Sequence, residues 1–217
     1  AKKIMVSPRP PFTAIIGGAK VSDKVLIIEN LLNVATDIVI GGGMAYTFIK
    51  AKGGQIGSSL VEEDRLVTVL NIYNKAKEKG VNLHLPEDSI VANAFDASAL
   101  TQPSITKDIP ANWMGLDIGP KAIEEFSRVI LQSNTILWNG PMGVFEWKSF
   151  GNGTKNIALA VAEATKKGAY SLIGGGDSAA AIAKFNLSSQ VSYVSTGGGA
   201  LLELFEGKTL PGVKALS

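Results

Sequence analysis

Short apolar runs and amphipathic stretches alternate along this chain. Six runs read as buried strands: 12–16 (FTAII), 37–40 (DIVI), 81–85 (VNLHL), 135–138 (TILW), 169–173 (AYSLI) and 191–196 (VSYVST). Residues 20–33, 62–79, 120–132, 154–167 and 177–185 carry apolar positions at three- and four-residue spacing and are predicted helices. Strand and helix in succession predict parallel pairing through right-handed crossovers. The expected fold is therefore α/β, a three-layer α/β/α arrangement of a six-stranded parallel sheet with helices on both faces. Residues 93–110, rich in Ala, Ser, Thr, Pro and Asp, read as a long surface excursion. The opening residues, through Pro8, Pro10 and Pro11, read as a linker. No internal repeat or low-complexity tract divides the chain.

Glycine placement sharpens this picture. Thirteen of the 24 glycines fall in five clusters, at 17–18, 41–43, 53–54, 174–176 and 197–199, and four of those clusters directly follow a predicted strand. A fifth strand, 135–138, runs into Asn139-Gly-Pro-Met-Gly143. In open parallel sheets ligands bind beyond the carboxyl ends of the strands, at the switch point. The glycine loops sit at that edge, so fold and candidate site follow from one pattern.

Composition narrows the chemistry. The chain has 217 residues, 46% apolar and 18% charged, enough for a sizeable core. Its formal net charge is only +2, too balanced for a protein devoted to nucleic acid. Cysteine is absent, which excludes disulfides, thiolate metal sites and cysteine nucleophiles. A Ser-His-Asp triad would have to use the single histidine, His84. His84 lies inside a strand pattern and reads as structural. No apolar run of membrane-spanning length occurs and no signal peptide opens the chain, so a cytoplasmic location is expected.

Backbone N–H groups at helix starts attract anions, and glycine lets a phosphate approach closely. Each loop taken singly also reads as a tight turn into a helix. Several loops at one edge favour a polyphosphate or nucleotide. In Gly17-Gly-Ala-Lys-Val-Ser-Asp-Lys24, Lys20 and Lys24 stand four apart at a predicted helix start, on one face. Like charges there oppose each other and the helix dipole, a penalty that a bound polyanion would relieve. Two solvated surface lysines are the bland alternative. No phosphate-binding G-x-x-x-x-G-K-[ST] motif occurs. Gly174, Gly176 and Ala179 satisfy G-x-G-x-x-[GA], but the next strand ends in Val194-Ser-Thr-Gly197 without the acid a dinucleotide ribose needs. Asp177 reads as a helix cap or as a Mg²⁺ ligand on bound phosphates. Asn139 offers donors to a phosphate, and Glu146 an acceptor to ribose hydroxyls. Trp113, Trp138 and Trp147 read as packing residues, and Lys75 to Lys79 as a solvated helix end.

These residues resemble the C-terminal, nucleotide-binding domain of the phosphoglycerate kinase family. The likeness runs from about Pro10 to the end, through GGAKVSDK at 17–24, IVIGGGMAYTF at 38–48, WMGLDIGP at 113–120, WNGPMGVFEW at 138–147, GGGDSAAA at 174–181 and STGGGALLELFEGKTLPGVKAL at 195–216. The resemblance implies a Rossmann-like sheet of order 3-2-1-4-5-6. It also implies transfer of a phosphoryl group between 1,3-bisphosphoglycerate and MgADP, giving 3-phosphoglycerate and MgATP in glycolysis. Matched motif to motif, Lys20 and Lys24 resemble phosphate-contacting lysines, and Gly18, Gly42 and Gly43 the loops beside the adenine. Leu60, Phe95, Gly115 and Leu116 fall where the family's adenine slot is lined. Asn139, Pro141, Gly143 and Val144 resemble the ribose and phosphate loop, with Glu146 the ribose-hydroxyl acceptor. Gly175, Gly176, Asp177 and Ser178 match the phosphate–magnesium loop, with Asp177 as metal ligand. Gly197 to Gly199, with Gly198 and Gly199 nearest the chemistry, resemble the helix start beside the transferring phosphoryl. Ser178 stands where many members have Thr, and Tyr46 where Phe is frequent.

The resemblance further implies that residues 1–10 are the remnant of an interdomain linker and that 11–217 form the nucleotide domain. The family's N-terminal phosphoglycerate-binding domain has no counterpart in this sequence. The chain is thus expected to bind MgADP or MgATP with negligible turnover alone, without a nucleic-acid or membrane partner, as part of an enzyme that is monomeric when intact. A non-enzymatic nucleotide-binding module and an NAD-binding domain are the alternatives.

Overall fold

The computed structural model describes residue 4, residues 7–196 and residues 203, 205 and 206. The central sheet holds six parallel strands: β1 (Phe12–Ile16), β2 (Asp37–Ile40), β4 (Asn82–His84), β9 (Thr135–Asn139), β10 (Tyr170–Gly174) and β11 (Tyr193–Ser195). Their order across the sheet is β11-β10-β9-β1-β2-β4. Numbered along the chain, that is the expected 3-2-1-4-5-6. Helices α1 (Val25–Leu31), α2 (Ala45–Ala51) and α3 (Leu66–Glu78) lie on one face. Helices α4 (Pro120–Leu131), α5 (Asn152–Lys166) and α6 (Gly176–Lys184) lie on the other. β1 shows how the sequence divides the core. Phe12, Ala14 and Ile16 join the first face, with Ile28, Phe48 and Ile72, while Ile15 joins the second, with Phe126, Ile157 and Ile182. Alternation along a two-sided strand puts every position in the core, hence the nearly continuous apolar FTAII, whose one hydroxyl, on Thr13, bonds to Ser133 at 2.6 Å.

The chain fills β1, β2 and β4 outward, then returns to lay β9 on the opposite side of β1. The switch point therefore lies between β1 and β9, whose register pairs Ile16 with Asn139.

Three features depart from the sequence expectation. First, α2 was not among the predicted helices. Residues 45–49 are all buried, so no polar face gives it a period. Second, the segment 93–110 is not merely a surface excursion. It contributes β6 (Thr101–Ile105), which pairs antiparallel with β5 (Asp88–Ala92), itself antiparallel to β8 (Met114–Ile118). Pro103 is tolerated because β6 is an edge strand. A two-residue ladder joins β3 (Gln55–Ile56) to β7 (Asp108–Ile109). Third, the predicted helix 20–33 is broken at Lys24, between a 3-10 turn at Val21–Asp23 and α1. Lys20 and Lys24 therefore do not share the face of one α-helix.

The linker reading of residues 7–10 meets a docked segment. Thr135 Oγ1 donates to Arg9 O at 2.8 Å, Asn134 Nδ2 to Pro10 O at 2.7 Å, and the Arg9 guanidinium to Gly168 O at 3.0 Å. Among the described residues no helix is long and apolar enough to cross a membrane.

His84 on β4 is held between two carboxylates. Its Nε2 lies 2.8 Å from Asp37 Oδ1 and its Nδ1 3.0 Å from Glu125 Oε1 of α4. Burial opposes both charges of the His84–Asp37 pair, yet the hydrogen bonds outweigh it. They raise the His84 pKa above the usual imidazole value and hold Asp37 below the usual carboxylate range. The raised histidine contributes stability fully present below its unfolded value of about 6.5 and lost as pH rises through the folded value. The depressed Asp37 contributes stability present above about 3.9 and lost as pH falls through its folded value. The cluster is thus most stabilising between about pH 4 and 6.5. Thermal unfolding at pH 6 and pH 8.5 should show the intact protein losing more stability over that interval than His84→Gln. Equal losses would mean that His84 carries no charge in the fold.

Candidate functional site

At the carboxyl edge of the sheet the loops after β1, β2 and β9 bond directly to one another. Gly17 N donates to Asn139 O at 2.9 Å, and Gly18 N to Pro141 O at 3.1 Å. Gly42 N donates to Met142 O at 3.1 Å, and Met44 N to Gly18 O at 3.0 Å. Backbones this close leave no room for side chains. A Cβ on Gly17 would lie 2.1 Å from Pro141 O, and one on Gly140 2.1 Å from Gly17 O. At Gly42 a Cβ would lie 2.5 Å from Gly18 O, and its φ of +71° is the left-handed region that favours glycine. These glycines are there so that loop can touch loop. Gly176 differs: nothing lies within 4 Å of a Cβ built on it.

Above this floor opens a cavity of about 530 Å³. Gly18, Gly42, Gly43, Pro141 and Gly143 form its loop side, and Leu60, Phe95, Gly115, Leu116 and Val144 its apolar wall. Glu146 and Asp177 supply its carboxylates. Twelve residues singled out from the sequence are thereby gathered around one space. Phe95 is 65% exposed but packs against Trp147 in a tilted arrangement, ring centroids 4.8 Å apart, so the excursion is pinned to the loop after β9. Lys184 of α6 secures the same loop by donating to Phe145 O at 2.7 Å. Trp138 is fully buried.

The remaining candidates stand behind or beside the wall. Lys24 is half-buried, and its ammonium donates to Asn139 Oδ1 across the switch point. Burial lowers its pKa, against the pull of Asp23 and Asp177. Asn139 Nδ2 donates to Gly174 O at 2.7 Å, so its amide braces β9, Lys24 and the β10 loop together. A Cβ on Gly175 would lie 2.8 Å from that amide nitrogen. Ser178 is buried, its Oγ accepting from Gly140 N at 2.6 Å. Lys20 is exposed at the start of the 3-10 turn, off the cavity wall. Gly197, Gly198 and Gly199 lie outside the described residues.

The sequence reading missed Ala19, Ser58, Met114 and Met142, which also line the cavity, and gave Tyr46 no place in it. Tyr46 comes from the unrecognised α2. Its hydroxyl donates to Ser89 Oγ at 3.1 Å, and burial pushes its pKa up. Its ring leaves no space for a side chain at 115, where a Cβ would lie 1.9 Å from the Tyr46 oxygen. Asp117 was missed too. It is buried behind Gly143, accepting from Gly153 N at 2.8 Å and Ile118 N at 2.9 Å. Burial pushes its carboxyl up to about 7 in spite of those two donors. A GG pair announces a turn, whereas a lone Asp in an apolar strand gives no spacing signal.

Sheet order and cavity together define a doubly wound α/β domain with a cavity at the switch point, where such folds bind their ligands. The sequence model of the family described as phosphoglycerate kinase matches residues 1–208. The chain belongs to that family. It is 56% identical over 215 residues to the phosphoglycerate kinase of Porphyromonas gingivalis, covering 99% of this chain and 51% of that one. Against the Thermosipho africanus phosphoglycerate kinase the identity is 53%, over 99% and 54%. The solved phosphoglycerate kinase of Coxiella burnetii superposes with a TM-score of 0.95 at 44% identity, covering 100% of this chain and 55% of that one. The chain thus spans about half the length of the relatives it matches.

The two kinds of glycine separate by experiment. Gly42→Ala forces a left-handed alanine into two backbones and is expected to destabilise by about 2 kcal/mol or more. Gly176→Ala, in open space at the first position of α6, should leave stability within about 1 kcal/mol. Urea unfolding of both variants checks this, and equal losses would refute the distinction.

Proposed function

We propose that this chain binds the diphosphate or triphosphate of adenosine with Mg²⁺ in the cavity. Joined to a phosphoglycerate-binding half, it would move a phosphoryl group between 1,3-bisphosphoglycerate and ADP, giving 3-phosphoglycerate and ATP. One observation carries the reading: an apolar slot and a glycine-loop edge meet in a single cavity at the switch point, with Lys24 braced on Asn139 beside it. The slot of Leu60, Phe95, Leu116 and Val144 suits a flat base. Glu146, which lines the cavity, would accept from ribose hydroxyls. Lys24, Gly18 and the open backbone at Gly176 suit the phosphates.

Asp177 would hold the metal. It is exposed in the first turn of α6 and lines the cavity. Among the described residues no three acidic or imidazole side chains cluster for a metal. A single carboxylate is nevertheless the donor set that Mg²⁺ takes when ligand phosphates and water complete its shell. When bound, the ion supplies neutralisation of phosphate charge.

The chain's own contribution to phosphoryl transfer is positioning and charge. Lys24, its charge offset in part by Asp23 and Asp177, is braced on Asn139 beside the glycine loops. Its cation would stabilise charge on the transferring group. The acceptor is a carboxylate and needs no general base, which accords with a chain whose one histidine is committed to Asp37 and Glu125. Lys20 and residues 198–199 would act on the transferring phosphoryl as the domains meet.

Calorimetric titration with MgADP tests the reading. The chain should bind saturably, and Lys24→Ala and Asp177→Ala should each weaken binding about tenfold to a hundredfold, the worth of one charge-assisted contact. No binding by a folded sample would overturn the proposal. In a coupled assay the chain alone should give no turnover above background, because only one reactant is held and the proximity advantage is lost.

A further inference from the structure

The 3-10 turn at Val21–Asp23 lies between Lys20 and Lys24, and its amino end has no local cap. Lys20 makes no side-chain capping bond there. The cap comes instead from Glu62, forty residues on. Ser22 Oγ donates to Glu62 Oε1 at 2.5 Å, and Ser22 N to Glu62 Oε2 at 3.1 Å. Both oxygens are used, and the N–H at the start of a turn is one that no intrahelical acceptor can satisfy. Burial would raise the Glu62 pKa, but the contacts from Ser22 and the Val21 backbone, aided by Arg65, hold it below the usual carboxylate range.

The segment that delivers Glu62 is itself fixed at the cavity. Ser59 Oγ accepts from Gly115 N at 2.9 Å, and Glu62 N donates to Thr47 Oγ1 of α2 at 3.1 Å. Between these anchors Leu60 packs beside Gly43, its Cδ2 3.1 Å from a Cβ built there. One short stretch therefore touches the apolar wall with Leu60 and the lysine segment with Glu62.

We propose that Glu62 is a positioning residue, which holds the turn carrying Lys20 and Lys24 in register with the apolar slot and so couples the base end of the site to its phosphate end. This rests on the nucleotide reading above. The sign of the effect distinguishes it from plain electrostatics. Removing a carboxylate bound to the turn between the two lysines should, by charge alone, strengthen binding of an anion. Loss of positioning should weaken it. Positioning also acts on the phosphate end only, so a nucleoside without phosphates should not feel the change.

The test is titration of the intact chain and of Glu62→Ala, Glu62→Gln and Ser22→Ala with adenosine and with MgADP, alongside amide hydrogen exchange at Ser22. Glu62→Ala should weaken MgADP about tenfold while leaving adenosine within about twofold. Glu62→Gln should fall between, since its amide oxygen can still accept from Ser22 N and its amide nitrogen can donate to the Ser22 hydroxyl oxygen, but the charge that strengthens both contacts is gone. Ser22→Ala, which keeps the charge, should weaken MgADP in the same direction. Exchange at Ser22 should accelerate in Glu62→Ala. Unchanged or tighter MgADP binding, equal losses for both ligands, or unchanged exchange would each overturn the proposal. If the unsubstituted chain binds neither ligand while Ser22 exchange still responds to Glu62→Ala, the nucleotide reading fails and the coupling with it, although the cap itself stands.

Discussion

Backbone hydrogen bonds between the loops after β1, β2 and β9 hold the carboxyl edge of this domain together, and the loop side of the cavity is hung from them. The contacts from Gly17 to Asn139, Gly18 to Pro141 and Gly42 to Met142 require loop backbones at van der Waals distance. Side chains at these positions would occupy atoms already present. Strand order makes the contact possible, because β1 lies between β2 and β9. Once the loops lock, Lys24 is carried against Asn139, and Ser178 of α6 accepts from Gly140 N. The loop side of the cavity is thus assembled by parts whose primary bond is to each other.

The apolar wall has a separate origin. Val144 apart, it comes from α2, the segment around Leu60, Phe95 and β8 of the antiparallel sheet, none of which is a strand of the six-stranded sheet. Buried carboxylates fasten this second layer to the first. Asp88 accepts from the backbone N–H groups of Lys121 and Ala122 and so caps α4. Asp117 accepts from Gly153 at the start of α5, beneath the loop that carries Gly143 and Val144. Among the described residues no buried side-chain nitrogen or oxygen lacks a partner.

The division between the two layers is also the division between what the sequence makes legible and what it hides. Strands such as FTAII and DIVI are bounded by glycine and follow one another at helix-length intervals, so their parallel pairing can be read directly. The glycine loops then point to the site edge. Their physical role was only half legible: a glycine that admits a phosphate and one that admits a neighbouring loop look alike, and Gly17, Gly42 and Gly140 are of the second kind. Helix α2 was hidden because five consecutive buried residues erase the polar face that marks a helix. β6 was hidden by Pro103 and its small polar neighbours, which an edge strand accommodates. The Lys20–Lys24 spacing suggested one helix because the 3-10 turn depends on a carboxylate forty residues away. Much of the slot lining came from family likeness, since Leu60, Phe95 and Leu116 carry no chemistry that spacing alone would flag.

The three hydroxyls behind the slot form a short relay: Tyr46 meets Ser89 at 3.1 Å, and Ser89 meets Thr106 at 2.8 Å. Ser89 is the middle member and keeps Thr106 whether or not a phenol is present. Deleting the Tyr46 oxygen would therefore strand no polar atom, only remove a terminal link. Position 46 is in this sense chemically redundant while being sterically strict, because the ring must still fill the space above Gly115. A lineage can exchange tyrosine for phenylalanine here without a compensating change elsewhere, whereas residue 115 has no such latitude.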